Sequence, residues 1–478
     1  MAMMFSLISC GGEAKDASKP AADTGPMLSV ELSGEITVCF FPGDLFSERY
    51  IKEAIYLFEF DHPGVTINIA PYSIGPDYEA LQRESAFASD IPMSGDDAVT
   101  MDYINRVNTE LISGKGPDIL SVDSLPYYKY AESGAFEDLL PYIEADEDFN
   151  ISDYQSTILE GTRYRSGQYM IPVDYTFRFV SFDKDRVDSA TAAALREKSQ
   201  FTWWELTDMI REQFMADGSD ARVINYFDGA ARAFYTVFLS EYTKYVDLEN
   251  KKAHFTDSDF TGVLQEIDWQ RANGYFSPIS ANVAEFNKDI QESQGLYYLQ
   301  YEVDYILPMV FSSVQDPGWY PIFPYPDVDE IAGILVNDAG KAWYGCYQAY
   351  GMNANSPNKE LAWAFLKYLL SEEMQQSSNI MGHPVHNEAF IDRTKKHFAD
   401  SIADDGRRII TKTDMIAAYN DYMQCLDGFI GSLSYYPVTD WVIRNMVEKE
   451  VRQVFDGTKT AEEAATALQN RVQLYLNE

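Results

Sequence analysis

The chain is short of cysteine, histidine and basic charge. Four cysteines and five histidines in 478 residues leave little material for a disulfide framework or a metal centre. Cys39 lies in an apolar run, Cys425 in a helical one and Cys346 among aromatics, so none has the paired spacing of a zinc site. Without Cys10 the remaining three allow at most one disulfide, and no spacing argues for it. His383 and His386 form the only close histidine pair, so a catalytic metal is not expected, and no cofactor is expected either. Lys and Arg number 37 against 75 Asp and Glu, a net charge of −38. Such a surface repels nucleic acid and anionic lipid and argues against phosphate-backbone binding. No stretch reaches the roughly 18 apolar residues of a membrane span. A Gly-x-Ser-x-Gly elbow, a phosphate-binding loop and an internal repeat are also missing.

What is present is a globular composition rich in tyrosine. The chain is 46% hydrophobic with 33 Tyr and 7 Trp, enough for large cores with rings left over for a site. Its length predicts two or three domains. Met1–Ser9 is apolar, and Leu7-Ile8-Ser9-Cys10-Gly11 reads as a lipobox, with Cys10 the residue to be lipidated. The run is short and has no Lys or Arg before it, which a truncated start explains. Residues 11–33 lack a periodic apolar face and read as a disordered tether.

Glu35–Phe41 is predicted as a strand, Ile51, Ala54, Ile55 and Phe58 as one face of a helix, and Val65, Ile67 and Ile69 as an alternating strand. That β-α-β pattern implies a parallel sheet covered by helices. Asp44 follows the first strand, either as a helix cap or facing a crevice. Ile119–Val122 is a second short apolar run, and Asp123 and Ser124 stand at its carboxyl end, where open α/β sheets place ligands. Thr202 with Glu205, and Thr460 with Glu463, form capping boxes, which makes Trp203 and Trp204 packing residues. Ser356 and Pro357 read as N-cap and first residue of a helix buried almost all round by Leu361, Trp363, Phe365, Leu366 and Leu369.

Several stretches, in this order, resemble the extracellular solute-binding proteins of bacterial ABC importers, the sugar-binding type that includes maltodextrin-binding protein. They are Gly114–Leu139 (GKGPDILSVDSLPYYKYAESGAFEDL), Tyr169–Asp185 (YMIPVDYTFRFVSFDKD), Phe201–Leu206 (FTWWEL), Gly351–Ala362 (GMNANSPNKELA), Leu370–Gln375 (LSEEMQ) and Gly382–Val385 (GHPV). Each is loose alone, and the ordered set is specific. The resemblance covers residues 34–478. It implies an α/β, two-lobed periplasmic-binding-protein (type II, Venus-flytrap) fold with a hinge and an interlobe ligand cleft. Residues 34–173 with 326–372 would form the first lobe, and 174–325 with 373–478 the second.

The function implied is capture of a sugar or oligosaccharide by hinge closure, without catalysis, and delivery to the transmembrane subunits of an ABC permease. The protein would be a monomer tethered by lipid at the extracellular face of the cell membrane. The resemblance places Asp44, Asp123, Ser124, Asp174, Tyr175, Thr176, Asp228, Tyr301, Trp319, Trp343 and Tyr344 at the cleft, where rings stack on sugar faces and polar groups bond hydroxyls. Trp343, between Lys341 and Gly345 in a loop-like context, is expected as a partly exposed platform, and Trp363 as core. Two other readings stay open. One is a surface carbohydrate-active enzyme using a carboxylate pair. The other keeps the receptor fold with iron or a peptide as ligand, for which Tyr127-Tyr128, Tyr297-Tyr298 and Tyr435-Tyr436 are the tyrosine pairs.

Overall fold

The computed structural model describes residues 32–41, 45–71, 97–122, 125–183, 189–214, 229–275, 329–380, 382–404 and 412–477. Among these, the strands in chain order begin with β1 (Ser33–Cys39), β2 (Gly64–Ile69), β3 (Ile119–Ser121), β4 (Ile171–Pro172), β5 (Asp174–Phe177), β6 (Phe179–Asp183) and β7 (Ser199–Phe201). They continue with β8 (Val246–Asp247), β9 (Lys252–Ala253), β10 (Asp329–Leu335), β11 (Ala342–Gly345), β12 (Ala349–Met352), β13 (His383–Pro384) and β14 (Leu433–Tyr435).

The first sheet has the order β2-β1-β3-β12-β4. β1 runs parallel to both neighbours, with Val38 opposite Ile69 on one side and Ile119 on the other. The helix Leu45–Asp61 makes the crossover that parallel neighbours require and buries Ile51, Ala54 and Phe58. β12 returns antiparallel to β3, and β4 pairs with its far edge. The helix Lys359–Leu369 covers β1 and β12 with Leu361, Trp363, Phe365, Leu366 and Leu369 all buried, as their spacing predicts. Its start differs from the expectation: Asn358, not Ser356, is the N-cap. The Ser356 hydroxyl is committed elsewhere, donating to the Asp118 carboxylate ahead of β3 while accepting the Asn358 N–H at 3.3 Å.

From the first sheet the chain passes into a mixed four-stranded sheet, β13-β5-β11-β14, and then a three-stranded one, β6-β10-β7. β5 continues into β6 through Arg178, and β10 returns antiparallel to β6 before β11 pairs with β5. The Leu335 N–H donates to the Arg178 carbonyl at 3.0 Å, stitching the two passages together. The faces of this ribbon feed different cores. Phe179, Ile334 and Val336 join the core of the first sheet, whereas Val180 and Leu335 join a second core. That second core is mostly helical, with Leu206, Phe234, Leu264, Ile443, Val447, Val451, Leu468 and Val472 contributed by five helices. Two cores joined by adjacent strands make the molecule two-lobed.

Both predicted capping boxes form. Thr202 N–H donates to Glu205 at 3.0 Å and Glu205 N–H to the Thr202 hydroxyl at 3.2 Å. The Thr460–Glu463 pair repeats this at 2.9 and 3.1 Å. No described helix is long and apolar enough to cross a membrane. Cys39 and Cys346 form no disulfide among the described residues.

Candidate functional site

β1 and β3 are adjacent and parallel, so both chains leave the first sheet at the same edge. Phe41 and Val122, immediately beyond these strands, are buried in a third apolar cluster with Leu125, Tyr127, Tyr130 and Val442. Tyr127 opens the helix Tyr127–Ser133, which stops at Gly134 in the left-handed conformation (φ 69°), where the Gly134 N–H bonds Ala131 and Tyr130 carbonyls. Its neighbours on that helix diverge, as adjacent residues on a helix must. Tyr127 meets the Tyr164 ring edge-on at 6.4 Å, whereas the Tyr128 hydroxyl donates to Asp440 at 2.8 Å. The buried Tyr127 hydroxyl has no hydrogen-bond partner among the described residues, and its burial pushes its pKa well up. Tyr164, Tyr436, Cys346 and Trp441 pack on the same cluster and remain partly exposed. Side chains from the first sheet and from the C-terminal helices therefore converge on one aromatic seam.

The structure brings five of the sequence candidates together on adjacent antiparallel strands, with Tyr344 opposite Phe177 and Gly345 opposite Thr176. Asp174, Tyr175 and Tyr344 are buried and engaged within the fold. Asp174 is fully buried, and its carboxylate accepts the N–H groups of Tyr347 (2.8 Å), Gln348 (3.0 Å) and Gly382 (2.9 Å). Residue 382 must be glycine for this approach, since a Cβ there would lie 2.6 Å from the Tyr175 carbonyl. Burial pushes the Asp174 carboxyl up to about 6, although the N–H donors oppose it. Tyr175 packs with the Phe177 and His383 rings at 6.4 and 5.2 Å, and these two stack on each other at 5.6 Å. The Tyr344 hydroxyl donates to the Thr157 and Ile158 carbonyls at 3.3 and 3.2 Å. The buried hydroxyls of Tyr175 and Thr176 have no hydrogen-bond partner among the described residues.

Trp343 departs from the expectation. It lies inside β11 and is 6% exposed, hardly different from the 7% of Trp363. The turn held by Asn337 N–H to the Lys341 carbonyl (3.0 Å) ends early enough for Ala342 to re-enter the sheet, and the ring goes inward. Arg178 sits 5.8 Å from its centroid. The ring borders a crevice of about 10 Å³ shared with Trp203, Trp204, Glu241 and Asp338, space for one water at most. Asp44, Asp123, Ser124, Asp228, Tyr301 and Trp319 lie outside the described residues, as does Cys10.

The sequence reading missed Trp441, Tyr164 and Cys346 as seam residues and took Tyr127 and Tyr436 only as halves of pairs. The signal was available in Tyr435-Tyr436-Pro437-Val438-Thr439-Asp440-Trp441, aromatics flanking a helix cap at the end of an irregular stretch. No group of metal-ligating side chains occurs among the described residues.

A family model for bacterial extracellular solute-binding proteins matches residues 47–376. An erythritol/L-threitol-binding protein from Mycolicibacterium smegmatis is 24% identical over 375 residues, covering 70% of this chain and 74% of the relative. Among solved structures, a family 1 extracellular solute-binding protein from Alicyclobacillus acidocaldarius superposes with a TM-score of 0.55 at 15% identity, covering 93% of this chain and 99% of that one. An ABC substrate-binding protein from Listeria monocytogenes in complex with cycloalternan gives 0.53 at 17% identity, and an oligogalacturonide-binding protein from Yersinia enterocolitica gives 0.54 at 14%, each with the same coverage. The match across most of the chain and the two-lobed α/β fold agree: this protein belongs to the bacterial extracellular solute-binding protein family.

Proposed function

We propose that the protein is the solute-binding component of an ABC importer for a neutral carbohydrate or polyol, held at the outer face of the cell membrane by lipid on Cys10. It captures the ligand between its lobes and presents it, as a monomer, to the transmembrane permease subunits. The observation that carries this reading is the aromatic seam where the cores meet, in which Tyr164, Tyr436 and Trp441 are partly exposed. Apolar sugar faces stack on such rings. The relative from M. smegmatis binds four-carbon polyols by name, and two of the fold neighbours are described with oligosaccharides, so polyhydroxylated ligands are the shared chemistry. Adjacent strands joining the cores supply a hinge, and a ligand touching both lobes shifts the population to the closed form.

Thermal melts and calorimetry against erythritol, threitol and neutral oligosaccharides test the proposal. A cognate ligand at a hundred times its dissociation constant should add about 2.7 kcal/mol of stability, with no product formed. Hydrolysis of a panel member, or no stabilisation by any, would overturn it. The anchor has its own test. Mass spectrometry of the mature protein from its host should find diacylglycerol on Cys10, and an unmodified Cys10 removes that part of the reading.

A further inference from the structure

Asp440 is fully buried and stands where the second core meets the third cluster. It caps the helix Trp441–Phe455, accepting the Val442 N–H at 2.9 Å and the Ile443 N–H at 3.4 Å. Its other oxygen accepts two phenols, Tyr475 at 3.0 Å and Tyr128 at 2.8 Å, and its own N–H donates to the Tyr242 hydroxyl at 3.2 Å. These partners belong to different parts of the molecule. Tyr475 is on the C-terminal helix Ala461–Asn477, which packs against Trp441–Phe455. Tyr242 belongs to the second core. Tyr128 is on the helix Tyr127–Ser133, whose Tyr127 and Tyr130 cluster with the first-sheet residues Cys39 and Leu120 and with Phe41 and Val122 just beyond the strands. The next residue, Lys129, places its ammonium 3.8 Å from the centre of the Tyr475 ring and crosses the same boundary.

We propose that the Tyr128–Asp440 bond, with Lys129 over Tyr475, is an interlobe latch that sets the balance of open and closed forms before any ligand arrives. A capping residue needs only its two helix N–H groups. The Tyr128 phenol adds a strong bond to a charged acceptor, in a buried place where water does not replace it while the contact is shut. Burial, with the Asp440 charge added, pushes both phenols well above their ordinary range, so both stay protonated donors. Separating the first-sheet helix from the C-terminal pair breaks the Tyr128 bond and the Lys129 contact and leaves the cap and the Tyr475 bond intact. The two tyrosines are therefore chemically alike and mechanically different.

The inference rests on the hinged-receptor reading, and its test uses no ligand, so a failed sugar panel leaves it standing. Small-angle scattering of the full unliganded chain would be compared for wild type, Tyr128→Phe and Tyr475→Phe. Each variant loses one phenol–carboxylate bond and keeps its ring. Tyr128→Phe should enlarge the radius of gyration, the open population rising on the order of tenfold relative to the closed. Tyr475→Phe should scatter like wild type while losing comparable stability in urea. Lys129→Met should enlarge the radius in the same direction by less, and it carries the test should Tyr128→Phe not fold. Unchanged radii in Tyr128→Phe and Lys129→Met, or equal expansion in Tyr475→Phe, would make the cluster a static anchor and overturn the latch.

Discussion

At the residue scale, burial decides what a side chain is free to do. Trp343 and Trp363 are 6% and 7% exposed, so truncation of either removes a packed ring. Trp343→Ala and Trp363→Ala should each cost about 3–5 kcal/mol in urea melts, as large-to-small core changes do. A loss under about 1 kcal/mol at Trp343 would return it to the role of an open platform. Asp174 makes a sharper case, because its environment is set by opposing effects. Burial raises its carboxyl to about 6, while the Gln348, Gly382 and Tyr347 N–H groups oppose the rise. The unfolded chain has the ordinary value of about 3.9, so between roughly pH 4 and 6 the native state binds the extra proton. Its contribution is fully present below about pH 4 and is lost as pH rises through 6, on the order of 2–3 kcal/mol. Other carboxylates titrate nearby, so the comparison is with Asp174→Asn. The stability of wild type relative to that variant should fall between pH 4.5 and 7.5 (buffers chosen about the shift). A difference independent of pH would mean that the carboxyl titrates normally.

At the scale of elements, caps and periodicity were the legible part. The Thr460–Glu463 box forms as spelled, and the helix it starts buries Leu468, Val472 and Leu476. Thr460→Ala should therefore cost about 1 kcal/mol and speed hydrogen exchange mainly in the first turn of that helix. Global exchange with no local change would argue that the helix start is held by packing instead. The same local logic gave β1, the crossover helix and β2 from alternation and apolar spacing. It was silent on which strand an apolar tetrapeptide joins. Ala342–Gly345 looks like a loop in its own neighbourhood and becomes a strand because β5 and β14 offer it partners from more than 80 residues away in the chain. For the same reason nothing local reveals that Tyr347, Gln348 and Gly382 will point their N–H groups at Asp174. Residues placed by long-range packing, such as Tyr164, leave no period or cap in the sequence, whereas Trp441 follows the Asp440 cap and could have been picked out.

At the scale of the whole molecule, charge is read directly from the sequence, and under the proposed function it should disfavour acidic sugars. With 75 acidic and 37 basic residues, the net charge of −38 surrounds any cleft with a repulsive field for anions. A uronate oligomer and a neutral oligosaccharide offer nearly the same hydroxyls and apolar faces to stacked rings, yet only the first works against that field on approach. The repulsion is long-ranged in dilute salt and fades as the screening length shrinks to about 8 Å near 0.15 M and about 3 Å at 1 M. Calorimetric titration across that range separates the two ligand classes. Affinity for a neutral cognate sugar or polyol should change little with salt. Binding of an oligogalacturonide should be weak at low salt and should strengthen as salt is added. The opposite slope, with the uronate bound best in dilute buffer, would place a local cationic group in the cleft strong enough to overcome the field, and the ligand class would then be acidic sugars.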